Sequence, residues 1–131
     1  MPTGHVLVVE DDDTIRRLLM EYLKQHELLT VEGARDGIEA LHCISQRQFA
    51  VVILDLMMPK MSGVDFLDSL TAMMKDPSIG ALGETPSVIV VTAAPPGDVP
   101  TDTLEQRSAL VKAVLRKPVD IERLAEIIES L

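Results

Sequence analysis

The 131 residues amount to one ordinary domain and are too few for two, and an apolar content of 47% is enough to pack a core. A formal net charge of −9 and a pI near 4.7 argue against a nucleic-acid surface, which needs a basic stripe, and are compatible with a hard cation or a basic partner. The single cysteine, Cys43, excludes an intrachain disulfide and a Cys-built zinc site and fits a reducing, cytoplasmic setting, with Cys43 expected as a small buried hydrophobe.

Aromatics are confined to Tyr22, Phe49 and Phe66, so the expected core is aliphatic with Met as filler. Met1 to His5 has no charged-then-apolar signal pattern. The longest apolar run, Phe49 to Leu54, is far too short to span a bilayer, so no membrane insertion is expected.

In chain order, Val6-Leu7-Val8-Val9 is an all-aliphatic run that predicts a buried strand, ended by Glu10-Asp11-Asp12-Asp13. Ile15, Leu18, Leu19, Tyr22 and Leu23 then fall on one helical face, with Asp12 or Asp13 as cap and Arg16, Arg17 and Lys24 assigned to solvent. Leu28 to Val31 is a less hydrophobic strand expected near a sheet edge, and Gly33 is read as a turn. Asp36 to Gln48 predicts a helix through Ile38, Leu41, Ile44 and Ser45. His26 and His42 have no second ligand at metal spacing.

Phe49 to Leu54 is the third strand and runs straight into Asp55. Past Gly63, Val64, Leu67, Leu70 and Met74 form a helical face that Asp76-Pro77 stops. Ser78 to Pro86 reads as a loop and Ser87 to Thr92 as a fourth strand. Ala93 to Pro100 is too rich in Pro and Gly to be helical throughout. A short, thinly apolar and weakly docked helix is expected from Asp102 or Thr103 to Ala109, with Asp102…Glu105 or Thr103…Gln106 as cap pair. Leu110 to Leu115 supplies a fifth strand, and Ile121, Leu124, Ala125, Ile128 and Leu131 mark the face of a last helix.

Five β-α repeats predict an α/β fold, a parallel five-stranded sheet with helices on both faces. The doubly wound order 2-1-3-4-5 places strands 1, 3 and 4, the most hydrophobic ones, at the centre. The carboxyl ends of parallel strands share one edge, so Glu10-Asp11, Asp55, Thr92 and Lys117-Pro118 should meet there. Three carboxylates in one cleft repel unless something positive sits among them, and oxygen-only donors describe a Mg2+ site. Lys117 adds an ammonium on a stem long enough to reach Asp55. A carboxylate so placed can act as a nucleophile toward a phosphoryl group, with the Thr92 hydroxyl bonding an equatorial oxygen.

With those residues in view, the chain resembles a response-regulator receiver domain of two-component signalling, a (βα)5 flavodoxin-like fold. The likeness runs through Val8-Val9-Glu10-Asp11, Leu54 to Gly63 around Asp55, Val91-Thr92-Ala93 and Lys117-Pro118, in order along essentially the whole chain. It implies that Asp55 accepts a phosphoryl group from a phosphohistidine on a histidine kinase or a histidine phosphotransfer protein. It implies Asp11 and Asp55 as direct Mg2+ ligands, Glu10 holding the ion, often through water, and the Met57 backbone carbonyl as a further ligand. Lys117 would pair with the phosphoryl oxygens, Thr92 would move to bond them, and Pro118 would follow a cis peptide. Lys60 and Arg116 are assigned to solvent.

Two positions depart from the family pattern. Val114 stands three residues before Lys117, where receivers commonly carry an aromatic, so the output is expected to be read differently, for instance through the helix-4 surface. Met57 and Ala94, by family analogy the pair that tunes water attack on the phosphoryl group, are both apolar, which implies slow self-dephosphorylation. Residues 1–131 are expected to be a single receiver with no output domain, signalling rather than turning over substrate. A downstream target protein, or a homodimer, would use the helix 4–strand 5–helix 5 face. A segment of a longer regulator would read the same. An Asp-nucleophile phosphohydrolase would need a second Asp two residues on, where Met57 stands. A receiver that is never phosphorylated would not need the intact Glu10/Asp11/Asp55/Lys117 set.

Overall fold

The computed structural model describes residues 4–25, 29–58, 60–76, 85–93, 97 and 101–131. Strands β1 (Gly4–Val9), β2 (Leu29–Ala34), β3 (Val51–Asp55), β4 (Ser87–Thr92) and β5 (Val111–Arg116) form one parallel sheet in the order β2-β1-β3-β4-β5. Helices α1 (Asp13–Lys24), α2 (Gly37–Gln46), α3 (Gly63–Met74), α4 (Thr101–Glu105) and α5 (Ile121–Ser130) alternate with them. The expected order and the central position of β1, β3 and β4 are therefore observed.

Side chains of a strand alternate between faces, and the core divides accordingly. Leu7, Val9, Val52, Leu54, Val88 and Val90 pack with Ala40, Ile44, Phe66, Leu67 and Leu70 on one side. Val6, Val8, Ile53, Ile89 and Val91 pack with Leu19, Leu23, Leu124 and Ile128 on the other. Four helices begin at acceptor caps: Asp12 accepts from the Ile15 N–H, Asp36 from Glu39, Ser62 from Asp65, and Asp120 from Glu122 and Arg123.

Several faces differ from expectation. On α1, Leu19 and Leu23 are buried but Leu18 is exposed, because a single sheet face covers less than the full apolar arc. On α2 the inward residues are Gly37, Ala40 and Ile44, while Ile38 points outward. The small residues face the sheet because β3–α3 also packs there: a Cβ on Gly37 would lie 2.9 Å from the Met61 Sδ. Phe66, absent from the expected α3 face, is fully buried, and Leu131 is exposed past the end of α5.

Gly33 is not a turn. It lies inside β2 opposite Val8, and a Cβ on it would meet Met20 Sδ at 2.6 Å. Cys43 is half-buried against the core rather than enclosed, and burial pushes its thiol up. Lys60 is exposed as expected, but its Nζ approaches Asp36 Oδ2 at 3.6 Å from a left-handed backbone (φ 69°).

Helix α4 starts at Thr101, so Asp102 and Thr103 lie within it rather than capping it. Its apolar face is as thin as expected, Leu104 alone being buried, but a polar clamp supplements it. Arg107 grips both Asp68 oxygens, at 2.7 and 3.0 Å, and donates to the Thr103 carbonyl at 2.7 Å. His26, Leu28, Pro59, Ala94 and most of the readings at 78–84 and 94–100 lie outside the described residues.

Gly63 fixes how closely α3 approaches the end of β3. A Cβ there would lie 2.8 Å from Leu56 Cα, and that neighbour is backbone and cannot rotate away. Gly63→Ala is therefore expected to destabilise the domain by about 1–3 kcal/mol, read as a lower urea midpoint at unchanged slope.

Candidate functional site

Parallel register brings the site together. Val9 pairs with Leu54, so the next residues, Glu10 and Asp55, emerge side by side at the carboxyl edge. Asp55 pairs with Val91, and Thr92 follows at the end of β4. Thr92 pairs with Arg116, and the Lys117 N–H donates to the Thr92 carbonyl at 2.8 Å. Lys117 then turns back over the edge, ahead of a cis peptide to Pro118.

The Lys117 ammonium donates to Glu10 Oε1 at 2.6 Å and to Asp55 Oδ2 at 3.2 Å. The other Asp55 oxygen, Oδ1, accepts from the Met57 N–H at 3.0 Å. Carboxylate oxygens of Glu10, Asp11 and Asp55 lie within 4.8 Å of one another. Glu10 and Asp55 are buried and Asp11 is exposed, so the cluster opens to solvent on the Asp11 side. The fully buried Thr92 ends the neighbouring strand, and Met57 is 67% exposed at the mouth.

One ammonium faces three carboxylates, and the buried Glu10 Oε2 has no hydrogen-bond partner among the described residues. An orphaned carboxylate oxygen inside a set of oxygen donors fits a hard divalent cation, and no nitrogen or sulfur donor in the cluster favours a softer one. Burial first, then the close approach of the Asp55 carboxylate, pushes the Glu10 carboxyl up to about 7, against the pull of Lys117. Burial opposes charge on Lys117, but hydrogen bonding to Glu10 and the Asp55 charge outweigh it and hold its ammonium above the usual range.

These shifts set a pH dependence. The folded protein keeps a proton on Glu10 that the unfolded chain gives up near 4.5. Stability from this group is complete below that value and is lost as pH rises through about 7. Urea unfolding without divalent cation is expected to give a lower midpoint at pH 8 than at pH 5.5, and Mg2+ to restore more at pH 8.

All four charged residues expected at the strand ends thus meet. Arg16, assigned to solvent, does not stay there: its side chain is only 17% exposed, pairs with Asp13 and donates to the Glu10 carbonyl at 2.9 Å. Nothing in the helical pattern marks it, because it lies off the apolar face. The bond becomes visible only once the end of β1 is placed beside the first turn of α1.

A family model described as "Response regulator receiver domain" matches residues 6–129. Among curated proteins, the protein-glutamate methylesterase/protein-glutamine glutaminase 4 of Myxococcus xanthus (strain DK1622) is 33% identical over 118 residues, 89% of this chain and 30% of that protein. The transcriptional regulatory protein SrrA of Staphylococcus aureus (strain NCTC 8325 / PS 47) is 35% identical over 77 residues, 59% of this chain and 32% of that protein. The chain spans about a third of the length of these relatives. Of solved structures, a response regulator receiver protein from Pseudomonas putida superposes with a TM-score of 0.80 at 29% identity, covering 100% of this chain and 99% of that one. A CheY-like receiver domain from Methylobacillus flagellatus gives 0.79 at 26% identity, covering 98% of each chain.

Proposed function

The chain belongs to the response regulator receiver domain family, and from that premise we propose that Asp55 is its phosphoacceptor, taking a phosphoryl group from a phosphohistidine donor in a Mg2+-dependent step. The observation that carries this reading is the Asp55 carboxylate itself. It is buried, held at one oxygen by the Met57 N–H and at the other by the Lys117 ammonium, beside two further acids. Its orientation is fixed before a donor arrives.

In the proposed step an Asp55 oxygen attacks phosphorus, the P–N bond to the donor imidazole breaks, and the bonding pair stays on the imidazole nitrogen, which takes a proton from water to leave as neutral imidazole. Lys117 follows the charge onto the phosphoryl oxygens, and the Thr92 hydroxyl bonds one of them. Glu10, Asp11, Asp55 and the Met57 carbonyl would hold Mg2+, which when bound supplies charge neutralisation at those oxygens. The exposed, apolar Met57 side chain offers no group to orient a water, which favours a long-lived aspartyl phosphate.

On this reading the partners are a histidine kinase or histidine phosphotransfer protein and a downstream target protein, in the cytoplasm. The α4–β5–α5 face is the proposed surface for that target or for a second copy. Val114 is 41% exposed on β5 and carries no aromatic ring, so a change at Thr92 would be read through α4, which the Arg107–Asp68 clamp ties to α3. No helix among the described residues is long and apolar enough to cross a membrane. The domain acts as a signalling acceptor rather than an enzyme; the methylesterase and glutaminase names belong to the Myxococcus protein.

Incubation with acetyl phosphate and Mg2+ tests the reading. One phosphoryl group per chain, mapped to Asp55 and absent when EDTA is added, is the expected result. Labelling that persists in Asp55→Ala would overturn it.

A further inference from the structure

The first turn of α1 does more than cover the sheet. Glu10 is held by its backbone on both sides: its N–H donates to the Ala34 carbonyl at 3.0 Å, and its carbonyl accepts from Arg16 at 2.9 Å. The other terminal nitrogen of the same guanidinium pairs with Asp13 and keeps that carboxyl below its usual range. Asp11 lies between Glu10, so pinned, and Asp12, which caps α1 by accepting from Ile15 at 2.9 Å.

The arm reaches this place because β2 has no side chain in its path. A Cβ on Gly33 would fall 3.2 Å from Arg16 Cδ as well as 2.6 Å from Met20 Sδ. The glycine inside β2 and the half-buried arginine on α1 therefore form one arrangement, spanning two elements and ending at the residue that precedes Asp11.

Resting on the acceptor reading above, we propose that Arg16 is a positioning residue for the metal site: by bridging the Glu10 carbonyl and Asp13 it fixes the β1–α1 turn, and so the places from which Glu10 and Asp11 present their carboxylates to Mg2+. The guanidinium suits this because its planar fork serves two acceptors at once, whereas a lysine ammonium reaching from the same position has no fixed fork. Without the bridge, both acids must be ordered by the ion itself, at a cost in affinity.

Calorimetric titration of Mg2+ into the whole chain tests this without relying on phosphorylation. Arg16→Met is expected to raise the Mg2+ dissociation constant about 10- to 100-fold. Arg16→Lys should fall between it and wild type. Gly33→Ala, which crowds the arm without touching the site, should shift the constant in the same direction. Arg17→Met, exposed one residue away, should leave it unchanged. In acetyl phosphate labelling, the Mg2+ concentration for half-maximal rate should rise in Arg16→Met while the rate at saturating Mg2+ stays at the wild-type value.

An Arg16→Met protein with a lowered urea midpoint but an unchanged Mg2+ constant overturns the proposal and leaves Arg16 as a packing residue. An unchanged constant in folded Arg16→Lys and Gly33→Ala does the same. Wild-type protein that binds Mg2+ but is not labelled defeats the acceptor reading alone, and the shifted constant still decides the role of Arg16.

Discussion

Replacing Asp55 by Asn is expected to make the metal-free domain more stable while abolishing phosphoryl labelling. Three carboxylates lie within 4.8 Å of one another, with one ammonium to offset them. At such separations one like-charge pair costs on the order of 4 kcal/mol at an effective dielectric constant near 20, so part of the folding free energy is spent on holding the acids together. Asparagine keeps the oxygen that accepts from the Met57 N–H and removes one charge. Lys117 loses the 3.2 Å contact with Asp55 but keeps the 2.6 Å contact with Glu10.

The net gain should be about 1–3 kcal/mol at pH 8, and smaller at pH 5.5, where Glu10 is already protonated. Mg2+ should add little to the variant, since one donor and the charge that attracts the ion are gone. Urea unfolding of both proteins at the two pH values, with and without Mg2+, measures all of this. A variant less stable than wild type in EDTA would mean that the Asp55–Lys117 contact outweighs the repulsion.

Lys117→Met is expected to move stability the opposite way. The ammonium is the donor to Glu10 Oε1, and Oε2 already lacks one among the described residues. Removing it also removes the pull that holds the Glu10 carboxyl down, so at pH 8 the variant must either bury an unpaired carboxylate or keep a proton there against the solution pH, a loss of up to about 3–5 kcal/mol. Protonation of Glu10 at pH 5.5 should recover much of the loss, and Mg2+ at pH 8 part of it. Labelling by acetyl phosphate should fall by about 100-fold, as for loss of a single donor at a developing oxyanion. Opposite signs from two substitutions a few ångströms apart are what a charge-imbalanced pocket requires; a uniform loss in both would indicate packing damage.

The sheet was legible because its strands speak in the simplest terms available to a sequence. Val6–Val9, Val51–Leu54 and Ser87–Val91 are buried on both faces, so nearly every residue in them is aliphatic and no choice of face has to be made. Parallel pairing then forces the strand ends onto one edge. Glu10, Asp55 and Lys117 could be placed together because strand ends need no side-chain geometry to be located. Helix faces were less legible. Leu18 and Ile38 fit a 3.6-residue period as well as their neighbours do, but how wide a stripe the sheet covers depends on what else packs there, such as Met61 against Gly37.

By itself the sequence determined the order of elements, the central strands and the convergence of Glu10, Asp11, Asp55 and Lys117, since period and strand order are local consequences of hydrophobic pattern and chain connectivity. Only the tertiary structure decided that Gly33 is a strand residue clearing space for an arginine, that Arg16 turns inward to the Glu10 carbonyl, and that Arg107 clamps Asp68 across 39 residues of chain. Each of these is a contact between elements that no periodicity encodes. A charged or achiral residue advertises nothing about its partner until the backbone brings the partner within hydrogen-bonding reach.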